Sequence, residues 1–180
     1  MYKSVLAILL FTLPITLAAQ VFEGVKGEVH FFSEAPFENV EASNSEVVSY
    51  YDMASQYVLF DLEIKSFEFN RGMMHAHFNE NYMHSDEYPK AEFFGKVYDF
   101  DANAEGVQEV NTVGELTIHG VTNVVKATGR MMRENDRIYL VSKFNITIAD
   151  FEIDSPRLLF LPVADQVDVT VEMEFRLTGS

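Results

Sequence analysis

Three histidines fall within ten residues, His75, His77 and His84, beside Asp86 and Glu87. Imidazole and carboxylate are donors that zinc and copper accept. On a helix, His75 and His77 point in different directions, whereas His77 and His84, seven apart, share a face. No second half-site of the His-x-x-Glu-His kind accompanies them. Two readings stay open: a His-dependent metal site, or histidines of which His77 hydrogen-bonds locally to pin the element. The second is favoured, and no cofactor is expected. His119 closes Leu116-Thr117-Ile118-His119-Gly120. A general base needs a nucleophile or an orienting carboxylate, and neither motif accompanies it. Its ring is expected to bond to the backbone of the turn at Gly120. Asn145-Ile146-Thr147 has the form of a glycosylation acceptor but falls in a strand. With no glycine-rich phosphate loop, nucleophile elbow or zincin helix, the chain is expected not to be an enzyme.

These residues must be positioned by something other than strand and turn. After Asn70-Arg71-Gly72, Met74, Phe78 and Tyr82 recur every four residues. That spacing gives one apolar face to a short helix. Asp86-Glu87-Tyr88-Pro89 is expected to end it, because Pro89 disfavours helical geometry at Tyr88. Alternation then resumes, with Ala91, Phe93, Gly95 and Val97 on one side and Glu92, Phe94, Lys96 and Tyr98 on the other. The stretch reads as a single helix laid across one end of a β-structure.

Two pieces, HFNENYMHSDEYPKAEF from His77 to Phe93 and GELTIHGVT from Gly114 to Thr122, carry a family resemblance. The chain resembles the YceI-like family of periplasmic, polyisoprenoid-binding proteins. The resemblance covers most of the chain and implies a lipocalin-like antiparallel barrel whose apolar interior holds an isoprenoid-type lipid. The family's helix start, Arg-Asp-x-His-Leu, corresponds here to Met74-His75-Ala76-His77-Phe78, so its arginine is replaced by Met74. The family's histidine position matches His77 and implies a helix-pinning role there.

Residues 1–19 read as a signal peptide: Lys3 at the start, an apolar core over 5–17 and Leu17-Ala18-Ala19 as the cleavage context. The apolar run is shorter than the about 20 residues that span a bilayer, so no stable membrane anchor is expected. Without cysteine, neither a lipidated N-terminus nor a disulfide is available. Residues 20–180 are then one exported domain. Loss of Lys3 turns 13 basic side chains into 12, against 28 acidic ones, and the charge of −15 into −16. Such a charge opposes nucleic acid and anionic membrane surfaces. At 48% hydrophobic residues the chain is expected to fold, and about 160 residues suffice for one sizeable core.

Most of the remainder alternates. Strands are predicted over 25–33, with Val25, Gly27, Val29 and Phe31 on one side, and over 46–52, 56–69, 91–97, 107–119, 122–132, 137–149 and 167–177. In the last, Val167, Val169, Val171, Met173, Phe175 and Leu177 all face one way. About eight strands joined by short turns suit an up-and-down barrel with room for one small ligand; a two-sheet sandwich alternates in the same way. The resemblance favours an all-β, lipocalin-like barrel with one short helix. Alternation nominates as ligand lining Val58, Phe60, Leu62, Ile64, Ala91, Phe93, Val97, Ile138, Leu140, Phe144 and Ile146. A reversed strand face would put all of these outside. The apolar run at 157–161, between Pro156 and Pro162, reads either as a segment over the cavity mouth or as a loop folded on the core. The expected function is binding or carriage of a quinone- or prenol-like isoprenoid in the bacterial envelope. The alternatives are a packed barrel serving envelope interaction or stress response, and the His-dependent metal protein.

Overall fold

The computed structural model describes residues 20–34, 39–70, 72–153 and 165–179. Residues 1–19, read above as a signal peptide, Arg71 and the apolar run at 157–161 therefore lie outside the described residues. The described chain runs β1 (Val21–Ser33), β2 (Val40–Asn44), β3 (Val47–Asp52), β4 (Tyr57–Glu63), α1 (Gly72–His77), β5 (Lys90–Tyr98), β6 (Gln108–Ile118), β7 (Val121–Glu134), β8 (Arg137–Thr147) and β9 (Gln166–Leu177). Each strand from β3 onward pairs antiparallel with the next, and β1 pairs with both β3 and β9. The sheet closes into an eight-stave barrel, which decides against the sandwich.

β2 is the ninth strand and adds no stave. It pairs with the far end of β1, Val29 opposite Asn44 through Ser33 opposite Val40, while β3 pairs with the near end at Val21–Glu23. β2 and β3 thus share one stave, broken at Ser45-Glu46. The buried Asn44 amide holds the break: its Nδ2 donates to the Glu63 carbonyl, and its Oδ1 accepts from Glu46 N–H. The predicted strands leave residues 40–44 out, so β2 is an addition to the expected set.

The strand faces follow the alternation, with one exception. β1 carries a bulge between Gly24 and Lys26, and Val25 is turned out to solvent. An inserted residue reverses the facing of what precedes it, so Phe22, not Val25, is the buried residue at that end. The predicted strand at 56–69 ends at Glu63, where a 3-10 turn (Ile64–Ser66) begins.

Across one end of the barrel lies α1, continued by a π-helical turn (Phe78–Tyr82). Phe78 and Tyr82 face the barrel as the four-residue spacing predicts. The π turn then inserts a residue: Met83 N–H donates to the Phe78 carbonyl, and Met83 is buried. The helix does not last to Pro89. His84, in the left-handed region at φ 44°, ends it, and its carbonyl accepts from the N–H groups of Glu87 and Tyr88. Pro89 instead marks the start of β5, its carbonyl accepting from Ile64 N–H.

The β6–β7 hairpin turns on His119 and Gly120 at φ 53° and 75°, the positive pair a tight two-residue turn requires. The Tyr88 ring lies so close over Gly120 that a Cβ there would stand 2.7 Å from its Cε1.

Candidate ligand-binding site

The barrel interior is divided in two. Toward the end without the helix, Phe22, Tyr51, Val58, Val97, Met131, Ile138, Leu140 and Phe175 are almost wholly enclosed. These side chains fill the space as a packed core does. Toward the helix end, Val29, Leu62, Ile64, Ile146, Phe151, Val169 and Val171 form a second cluster. Many of its neighbours are only half-buried, among them Phe31, Phe69, Phe78, Tyr82, Ala91, Phe144 and Val125. Phe60 and Phe93 touch both clusters, with ring centroids 6.3 Å apart, and form the floor between them.

Glycines place that floor. Gly95 and Gly114 are cross-strand partners on β5 and β6. A Cβ at Gly114 would stand 2.5 Å from Gly95 Cα and 2.6 Å from Phe93 Cζ. The Phe93 ring therefore lies over backbone that no side chain occupies.

All eleven nominated lining residues sit on the interior faces, whereas Leu59 and Phe94, the neighbours of Phe60 and Phe93, are exposed. The two halves divide the set. Leu62, Ile64, Ala91, Phe144 and Ile146 belong to the helix-end cluster, Phe60 and Phe93 to the boundary between the clusters, and Val58, Val97, Ile138 and Leu140 to the packed half. The lining the sequence missed is the aromatic roof. Phe78 stacks on Phe31 at 5.4 Å and meets Phe67 and Phe69 at 5.8 and 5.0 Å. Phe78 belongs to the apolar face of the predicted helix and Phe31 to one side of the first predicted strand, and nothing in their spacing joins them.

No charged side chain is buried among the described residues. Among the described residues the buried polar side chains are Ser33, Asn44, Ser49, Asn79, Ser85, Thr112 and Ser142. The Ser33 hydroxyl and the Asn79 amide oxygen are buried without a hydrogen-bond partner. Near the helix end, Lys65 is held 2.5 Å from Asp86, and Lys90 donates to both Asp61 oxygens at 3.0 Å. The Lys65 hydrogen bond, then its charge, hold the Asp86 carboxyl below its usual range. In the packed half, burial and then the Asp52 charge push the Tyr51 phenol up to about 12.

The histidines diverge. His75, not His77, pins the helix: its Nε2 lies 3.1 Å from the Lys65 carbonyl and 3.2 Å from Asn79 Nδ2. His77 is exposed. His84 instead meets His119, ring centroids 5.4 Å apart. His119 does not bond to its turn: both ring nitrogens are buried without a hydrogen-bond partner, and the ring packs 4.5 Å from that of Tyr88. No three His, Cys, Asp or Glu side chains converge among the described residues. An open groove of about 460 Å³ lies outside the barrel, between the β2–β3 break and α1, lined by Glu46, Lys65, Glu68, Phe69 and His75 among others. Its wall is largely polar.

The YceI-like domain pattern matches residues 12–175. The chain belongs to the YceI-like family. The fold recurs in a polyisoprenoid binding domain from Saccharophagus degradans, with a TM-score of 0.75, 15% identity, and 88% of this chain and 99% of that one covered. It recurs in BcnA of Burkholderia cenocepacia, with a TM-score of 0.69, 17% identity, and 82% and 95% covered. The YCEI protein of Campylobacter jejuni gives a TM-score of 0.54 at 18% identity, with 97% of each chain covered. No curated relative matches the chain. At these identities the solved structures establish the barrel, and the chamber's chemistry is read from this YceI-like chain's own residues.

Proposed function

We propose that this YceI-like protein holds one uncharged isoprenoid-type lipid, quinone- or prenol-like, in the helix-end half of its barrel, and carries it without chemistry in the bacterial envelope. The divided interior carries the reading: one half is sealed, the other is ringed by half-buried aromatics, and no charged side chain is buried among the described residues. Family membership and the polyisoprenoid binding domain among its structural neighbours support the ligand class. The signal-like leader supports export to the periplasm. Among the described residues no helix is long and apolar enough to cross a membrane. Enclosing roughly 500 Å² of prenyl surface at about 25 cal/mol per Å² gives ~12 kcal/mol, which leaves the ~8 kcal/mol of micromolar affinity after an ordering cost of about 4 kcal/mol.

The head group follows from electrostatics. A diphosphate needs fixed cations or a helix N-terminus. Lys65 and Lys90 are already engaged by carboxylates, and Met74 stands where the family has arginine. The Ser33 hydroxyl can donate to a quinone carbonyl or exchange hydrogen bonds with a prenol. Native mass spectrometry of protein purified from its own envelope tests the function: a co-purifying apolar mass is expected, and an empty protein or a bound metal mass would overturn it. Competition between a prenol and a prenyl diphosphate of equal length tests the head, with tighter prenol binding expected at low and physiological salt.

A further inference from the structure

The barrel wall is not continuous. β7 and β8 pair from Glu134 opposite Arg137 up to Thr128 opposite Lys143, and there the pairing stops. Beyond that point Val121–Ala127 pairs with β6 alone, and Phe144–Thr147 with β9 alone. At the parting the Ser142 hydroxyl donates to the Thr128 carbonyl at 3.2 Å, a side chain capping the end of the strand pairing. The unpaired seam spans four register positions, about 13 Å of strand. It lies beside the helix-end cluster, to which Val125, Phe144 and Ile146 belong.

A 3-10 turn (Ile148–Phe151) continues directly from β8 and packs across the seam against β7. Phe151 and Ile153 are buried in the chamber's cluster, and exposed Glu152 between them takes the left-handed conformation at φ 53°. That residue turns the chain so that both apolar side chains point inward. Asn123 of β7 fastens the turn, its Nδ2 donating to the Asp150 carbonyl at 2.6 Å.

The helix end of the barrel is covered by side chains. It is roofed by the Phe31–Phe67–Phe69–Phe78 ring cluster and by the His75 contact to the Lys65 carbonyl. We propose that the lipid passes sideways through the β7–β8 seam, with Phe151 as the plug and Asn123–Asp150 as the latch. Parting the strands there breaks no strand pairing, whereas parting neighbouring staves breaks a ladder of hydrogen bonds. An apolar chain also slides between Val125 and Ile146 without exposing its length to water. The route rests on the proposed lipid-binding function.

The test uses the absence of native cysteine. Asn123→Cys with Asp150→Cys is joined by a reducible bismaleimide, and exchange of a dansyl-tagged prenyl alcohol is followed by stopped-flow fluorescence. The cross-link is expected to slow association and dissociation together by about tenfold or more, with Kd changed by less than about threefold. Reduction should restore both rates. Phe151→Ala should quicken both. A control cross-link between Glu109→Cys and Arg130→Cys, on the continuous β6–β7 pair, should leave the rates unchanged. Unaltered rates after closing the seam, with the probe still bound, overturn the route and leave the lipid-binding reading intact; a Kd change with unaltered dissociation does the same. Failure of the unmodified protein to bind any prenyl probe overturns both.

Discussion

Ile138→Ala and Phe144→Ala separate the two halves of the barrel on one strand. Ile138 is 0% exposed in the packed half, so truncation leaves a cavity with nothing to fill it. Such substitutions cost about 2–5 kcal/mol, and at about 2–4 °C per kcal/mol for a domain of this size the melting temperature should fall by roughly 5–15 °C. Kd for a prenol should stay within about threefold. Phe144 is half-buried against the helix-end cluster, so its loss removes less contact from the folded chain, about 1–2 kcal/mol. It does remove ring surface from the ligand: roughly 60 Å² at about 25 cal/mol per Å² is ~1.5 kcal/mol, or about tenfold in Kd. With no tryptophan in the chain, melting is best followed by far-UV circular dichroism, and affinity by a dansyl-prenol titration. If Ile138→Ala weakens binding as much as Phe144→Ala, the lipid reaches the packed half and the division of the interior is wrong.

Three further outcomes are expected. Tyr51 releases its proton near pH 10 when unfolded but near 12 when folded, so stability is full below pH 10 and falls as pH rises toward 12. Tyr51→Phe should abolish its share of that fall, up to about 2–3 kcal/mol, and leave neutral-pH stability unchanged or about 1 kcal/mol higher because an unpartnered buried hydroxyl is gone; urea midpoints of both proteins at about pH 8 and about pH 11 read it. Gly114→Ala should cost about 2–3 kcal/mol and displace Phe93, because the new Cβ meets the backbone at Gly95 Cα and the Phe94 carbonyl; a midpoint shift worth under about 0.5 kcal/mol contradicts the close approach. Phe60→Asp places an unpaired carboxylate between the two clusters and should prevent folding or lipid retention, whereas Asp61→Asn, which loosens the exterior pair with Lys90, should cost at most about 1 kcal/mol by the same denaturation assay. The reverse order would mean that the faces of β4 are exchanged.

The staves were legible because burial on one side of a sheet imposes period two, and β9 and β5 show it without interruption. The exceptions are local insertions. A bulge at Val25 and a π turn at Phe78–Tyr82 each add a residue, and period counting has no way to detect an addition. β2 was missed because its short run, VEASN, contains two of the polar residues that also mark turns. For the site, alternation found side chains that face inward and could not say how far along the barrel they lie. Val58 and Leu62 share one face of one strand, yet one belongs to the packed half and the other to the chamber. Depth is set by which strands are neighbours and in what register, and those are long-range facts.

The seam between β7 and β8 makes the same point about function. Residues 122–127 and 144–147 fall within predicted strands, so each reads as a paired strand. Each is in fact paired, but to its other neighbour. What opens the wall is a turn that replaces a strand partner with a phenylalanine, and Ile148-Ala149-Asp150-Phe151 gives no sign of this when read alone. A barrel built only from complete ladders would hold its lipid behind hydrogen bonds on every side. Substituting packing for pairing over one short stretch lets the wall yield there while the other staves keep the chamber's shape.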